Sequence, residues 1–242
     1  MTGMRIDHQP AFVLHRRAYR ESSFLLELLT RDHGRVAAVA RGMRNPRRGA
    51  AALCQPLQPL LVAWSGRTEL KTLGSTEIAG NAGVLAGERL YSALYVNELL
   101  LRLLAPQDPH PALFDAYAVL LVQLAGEHAL EPLLRRFELL LLRELGYGLA
   151  LDHDVDGGGV LEPAASYLFD PGSGFRLADR GAEATAYPGY VLAAIAREDF
   201  SDPMTRRHAK RLLRVAFAEL LGPRPLLSRR YFPAHPPDGR TG

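Results

Sequence analysis

Hydrophobic positions change their spacing once along this chain. Up to about residue 80 they favour strands. Ala11 to His15 is a short apolar segment ending in Arg16-Arg17. Ser22 to Thr30 is a second, so apolar that a helix is also open there. Asp32-His33-Gly34 is a turn into a third, in which Val36, Ala38 and Ala40 alternate with Ala37, Val39 and Arg41. Leu60 to Trp64 and Glu69 to Ile78 are a fourth and fifth, joined by Ser65-Gly66-Arg67-Thr68. Five short strands in this space suit a small barrel. The OB-fold is the economical choice, with an SH3-like barrel as the alternative.

From Leu85 the spacing becomes helical. Leu85–Leu104, Pro111–Ala125 and Glu131–Leu145 read as three helices, punctuated by Pro106, Pro132, Gly146 and Gly148. Tyr167–Phe169 and Phe175–Leu177 read as a hairpin across Asp170–Gly174, and Tyr190–Arg197 and Met204–Leu221 as two more helices. The fold class expected is α+β: a barrel over residues 1–80, a helical domain over 81–232 with a hairpin insertion near 149–187, and a disordered tail over 233–242.

Charge sharpens this division. Residues 1–80 hold 12 Lys+Arg against 6 Asp+Glu, whereas the whole chain nets only +3. A basic first part suits a polyanion. The densest run follows the third strand: Gly42 permits a turn, and Arg44, Arg47 and Arg48 come after it, with no acid between Asp32 and Glu69. Arg16, Arg17, Arg35, Arg41, Arg67 and Lys71 extend the candidate phosphate contacts, and Tyr19 is placed to stack on a base. Phe12 and Phe24 read as core; Trp64 fits either role. A second basic face, Arg207, Lys210, Arg211 and Arg214, falls on the last helix.

Catalytic chemistry finds little support. The single Cys54 excludes an intrachain disulfide and a multi-cysteine zinc site, and reads as a half-buried structural thiol. Asp152, Asp154 and Asp156 alternate as in a calcium loop, but its closing glutamate is missing, so no metal is expected. A metal-dependent phosphoesterase using Asp152, His153, Asp154 and Asp156 is nevertheless an alternative, as is a generic RNA-binding module. No nucleophile elbow, phosphate loop or dinucleotide fingerprint occurs. No run is long enough to span a membrane and the first residues lack a signal peptide's apolar centre, which points to a cytoplasmic protein without cofactors.

Ala11-Phe-Val-Leu-His15 with Glu21-Ser22-Ser23, Gly34-Arg-Val, Ala40-Arg-Gly42, Pro56 to Leu61, Leu90 to Leu100, and Arg135-Arg-Phe-Glu-Leu139 through Gly148 occur in an order and spacing that resemble the bacterial recombination mediator family RecO. The resemblance implies an N-terminal OB-fold and a helical C-terminal domain. It implies binding of single- and double-stranded DNA and annealing of strands coated with single-stranded-DNA-binding protein (SSB). It further implies RecR as partner, RecA loading as outcome, and a nucleoid-associated location. Many members carry a four-cysteine zinc module, which the Leu151–Phe175 region here lacks, so no zinc is expected. A docking site for the SSB C-terminal tail maps onto Arg135 and Leu145. An acidic tail ending in Phe and a carboxylate needs a cation beside an apolar pocket.

Overall fold

The computed structural model describes residues 5–44, 50–80, 83–156, 158–179, 181–182 and 185–231. Arg47 and Arg48 lie outside these residues, as does the 233–242 tail. The chain forms two compact units, one of residues 1–127 with 225–242, the other of residues 128–224.

The first unit holds five strands: β1 (Arg5–Tyr19), β2 (Ser23–Thr30), β3 (Gly34–Ala40), β4 (Pro59–Ser65) and β5 (Lys71–Ile78). Their order is β1-β2-β3-β5-β4, and β4 pairs back onto β1 to complete the circuit. All neighbours are antiparallel except β3 and β5, where Ala38 and Val39 face Lys71 and Thr72 in parallel. The alternation read in β3 is real: Val36, Ala38 and Ala40 are buried with Leu26, Leu28, Leu60, Val62 and Leu73. The Ser22–Thr30 segment is a strand. Its excess of apolar residues reflects burial on both faces at Leu26, Leu28 and Leu29. β1 is longer than its apolar centre because its ends are polar and exposed while still pairing, at Arg5 with β4 and at Tyr19 with β2.

Two helices belong to the same compact unit, α1 (Gly87–Leu103) and α2 (Pro111–Ala125). Phe12 of β1 meets Phe114 and Tyr117 of α2 at 5.3 and 5.0 Å between ring centres. Asn97 of α1 donates to the Leu14 carbonyl at 3.0 Å and accepts from the Tyr117 hydroxyl. Burial pushes the Tyr117 hydroxyl well above the ordinary tyrosine pKa. The deepest positions of α1 are Ser92, Ala93, Val96, Asn97, Leu99 and Leu100. Small and polar groups there let the helix approach the strands, and Asn97 satisfies a strand carbonyl that would otherwise be costly to bury. A short 3-10 turn, Leu227–Tyr231, also belongs here: Glu98 accepts the main-chain amides of Leu227 and Ser228 at 2.7 and 2.8 Å.

The second unit contains α3 (Leu130–Glu144), β6 (Ser166–Asp170), β7 (Gly174–Leu177), β8 (Tyr187–Pro188), α4 (Gly189–Ala196) and α5 (Pro203–Leu221). The β6–β7 hairpin turns where read, because Asp170 Oδ1 accepts from the Gly172 and Ser173 amides at 2.9 and 3.0 Å. β8 adds a third strand in the order β7-β6-β8. α5 opens with Asp202 accepting from the Thr205 amide at 2.8 Å, and Pro203 in its first turn.

Candidate nucleic-acid interface

The register decides which basic residues meet. Tyr19 pairs with Ser23, and Phe24 with Ala40, so the β1–β2 turn and the loop leaving β3 emerge at one edge. They are tied together: the Arg44 amide donates to the Ser22 carbonyl at 3.0 Å and its guanidinium to the Arg20 carbonyl at 3.3 Å. Gly42 takes the left-handed φ of 70° that this turn needs.

Arg16, Arg17, Tyr19, Arg41 and Arg44 are therefore brought together, and Arg17, Arg41 and Arg44 are exposed. Arg16 is half-buried. Its guanidinium lies 5.1 Å from the centre of the Phe24 ring and donates to the Ala51 carbonyl at 2.9 Å, which fixes the 3-10 turn Ala50–Cys54. Arg20 joins the group although it was not among the predicted contacts. It is exposed, in a left-handed conformation (φ 53°), with its guanidinium 5.2 Å from the Tyr19 ring centre. Its place in the run Arg16-Arg17-Ala18-Tyr19-Arg20 was the available signal. Among the described residues no carboxylate pairs with Arg17, Arg20, Arg41 or Arg44, and Glu21 is the one acid in that turn. An edge with several unneutralised guanidiniums and a half-buried tyrosine can follow a phosphate backbone and stack a base.

The remaining candidates stand elsewhere. Arg35 is half-buried, paired with Glu27 at 2.7 Å and donating to the Leu104 carbonyl at 3.2 Å, so its guanidinium is committed to the fold. Lys71 is only 4% exposed and points with Leu73 to the inner side of β5, not onto the exposed arginine edge. Arg67 is exposed in the β4–β5 turn; because β5 runs parallel to β3, that turn opens in the opposite direction from the loop leaving β3. Trp64 belongs to the core, 3% exposed and edge-on to His33 at 5.3 Å. Cys54 is fully buried, 3.2 Å from the Met43 sulfur; burial raises its thiol pKa and leaves an inert structural group.

In the second unit Arg135 is 7% exposed and Glu138, one turn on, 1%; their charged groups lie 3.1 Å apart. The position read as facing an SSB tail is thus part of a buried ion pair. Leu145 is half-buried at the end of α3. On the adjoining surface Arg136, Phe200, Leu133 and Arg206 line a cavity of about 360 Å³. The basic face read on α5 is partly engaged: Arg211 lies over the Tyr187 ring at 4.1 Å and Lys210 is 3.7 Å from Glu131. Asp152 and His153 form an exposed pair at 3.0 Å. Among the described residues no three acidic, imidazole or thiol groups are gathered to hold a metal.

Comparison with known proteins settles the family. The model described as "Recombination protein O N terminal" matches residues 4–82, and "Recombination protein O C terminal" matches residues 85–230. The chain belongs to the RecO family. A curated "DNA repair protein RecO" from Aromatoleum aromaticum is 46% identical over 227 residues, covering 93% of this chain and 95% of the relative. Counterparts of the same description from Dechloromonas aromatica and Tolumonas auensis are each 43% identical, covering 94% of this chain and 96% and 95% of the relatives. RecO is a family of DNA repair proteins and not of enzymes. No helix among the described residues is long and apolar enough to cross a membrane.

Proposed function

We propose that this RecO family member binds DNA through the arginine edge of its five-stranded, OB-type first domain, residues 1–80, and anneals complementary strands coated with SSB. The observation that carries the reading is the joining of the β1–β2 turn to the loop leaving β3, which places Arg17, Arg20, Arg41 and Arg44 side by side without carboxylate partners among the described residues. Two strands held on one cationic surface lose much of their mutual repulsion and can search for register. No bond is made or broken, so the step needs neither nucleotide nor metal. Arg47 and Arg48 continue the same loop in sequence and belong to the proposed surface.

In the cell this activity acts in the cytoplasm at the nucleoid, with RecR as partner and RecA loading as its outcome. Contact of the SSB tail with Arg135 and Leu145 belongs to the proposal on the resemblance alone. A tail carboxylate would there meet a guanidinium that is 7% exposed and already shared with Glu138.

Annealing of SSB-coated complementary strands tests this. The wild type accelerates annealing, and the Arg17→Ala/Arg41→Ala/Arg44→Ala variant loses the acceleration while keeping its fold. Equal acceleration by the variant removes the arginine edge from the mechanism. A strong preference for RNA of the same sequence turns the reading toward an RNA-binding module.

A further inference from the structure

Within the first unit, away from the arginine edge, Lys71, His33, Trp64, Val36, Gln107 and Asp32 border a cavity of about 170 Å³. Lys71 is its unusual member. A lysine 4% exposed is rare without a counter-charge. Yet among the described residues no carboxylate lies within ion-pair distance of its ammonium and it donates no hydrogen bond. Its stem is buried while the ammonium nitrogen keeps access to the cavity, which leaves its charge open to an anion that enters there.

The other walls suit an oxyanion. His33 is held edge-on to Trp64 at 5.3 Å. Gln107 is fixed by its own main chain, in a left-handed conformation with φ 59° and its amide donating to the Arg35 carbonyl at 2.9 Å, which leaves its side chain to serve the cavity. Asp32 is the one carboxylate on the wall, and both its oxygens are already engaged. Oδ2 accepts from Gln9 Nε2 at 2.9 Å and Oδ1 from Arg31 at 3.4 Å. Trp64 and Val36 supply apolar surface that strengthens a charge pair formed beside them. The space equals about five or six water molecules at ~30 Å³ each, enough for a phosphate group but not for a whole nucleotide.

We propose that this cavity is a phosphate-binding site, with Lys71 as the counter-charge and His33 and Gln107 as hydrogen-bond donors. The group it takes is a phosphate that can enter endwise, either the terminal phosphomonoester of a nucleic-acid strand or free inorganic phosphate.

Trp64 is the chain's single tryptophan and borders the cavity, so its fluorescence reports occupancy directly. The full-length protein is titrated with inorganic phosphate against chloride at matched ionic strength. A saturable change with phosphate alone is expected, weakened at least tenfold in Lys71→Met, whose thermal unfolding checks that it folds. His33→Phe keeps the ring beside Trp64 but removes a donor, and weakens binding at least threefold should Lys71→Met not fold. Absence of a saturable signal, or an unchanged signal in a folded Lys71→Met protein and in His33→Phe, overturns the proposal. A 5′-phosphorylated oligonucleotide binding more tightly than its 5′-hydroxyl twin, with the advantage lost in Lys71→Met, assigns the site to strand ends. Equal binding of the two oligonucleotides beside saturable inorganic phosphate assigns it to the free anion. Affinity for the 5′-hydroxyl strand reports the arginine edge separately and stays unchanged in Lys71→Met.

Discussion

Arg135 and Glu138 lie one turn apart on α3, 3.1 Å from each other, and both are buried. Removing the arginine takes the ion-pair partner from a carboxylate that is only 1% exposed. Arg135→Ala is therefore expected to destabilise the second unit by about 3–5 kcal/mol, measured by denaturant unfolding. Arg135→Met/Glu138→Met, which removes both charges and keeps the volume, recovers most of that loss. Weakened SSB-tail binding by Arg135→Ala counts as a docking effect only if the double variant shows it too.

The predicted DNA contacts separate by what their guanidiniums already do. Arg17→Ala and Arg41→Ala each lower the salt slope of single-strand binding by about 0.7 and leave unfolding unchanged. Arg35→Ala does the reverse: it loses its pair with Glu27 and its bond to the Leu104 carbonyl. A cost of about 1–2 kcal/mol in stability, with the salt slope intact, is expected for this largely buried pair. Salt-dependent binding beside thermal unfolding distinguishes the two classes.

Trp64 gives a third contrast. Core burial makes Trp64→Ala destabilising by about 3–5 kcal/mol, whereas Tyr19→Ala leaves stability near the wild type and costs about 1–3 kcal/mol in single-strand affinity through a lost base stack. Binding measured below the unfolding transition of both variants decides it.

Glu98 titrates together with the Leu227–Tyr231 turn that it holds. Burial would raise its carboxyl pKa, but the hydrogen bonds from Ser228 and Leu227, with Arg102 nearby, overcome this and hold it below its usual 4.5. A folded-state pKa that is depressed contributes stability above about 4.5, the unfolded value, and loses it as pH falls through the folded value. Hydrogen exchange of the Leu227 and Ser228 amides is thus expected to quicken as pH drops below that point, relative to the intrinsic rate. In Glu98→Gln it is fast at neutral pH and nearly independent of acid.

Much of this was legible from sequence because local signals coincided. Pro111 and Pro203 begin helices where the apolar spacing does, and Asp170 sits where a hairpin needs its carboxylate. Charge was the misleading signal. Lys71 reads as surface until its parity with buried Leu73 is noticed, and its pairing with Ala38 comes from a strand more than thirty positions away. Arg135 likewise shares a stripe with Glu138 and Leu142, an internal ion pair that only packing reveals. Trp64 was ambiguous because strand alternation names two faces without saying which is inside. The switch from strand to helix spacing near residue 80 marks where secondary structure changes, and the family models divide there too. Packing follows another line: Asn97, Phe114 and Tyr117 bind α1 and α2 to β1, which a one-dimensional pattern does not contain.

The two amides that Glu98 receives are 129 and 130 residues downstream of it. During synthesis, α1 and the five strands leave the ribosome long before Leu227 is made, and the carboxylate must wait in water. The first unit is thus completed by residues made well over a hundred positions after α1. Until Leu227 and Ser228 are made, Glu98 on α1 lacks the two main-chain amides that it holds in the finished fold.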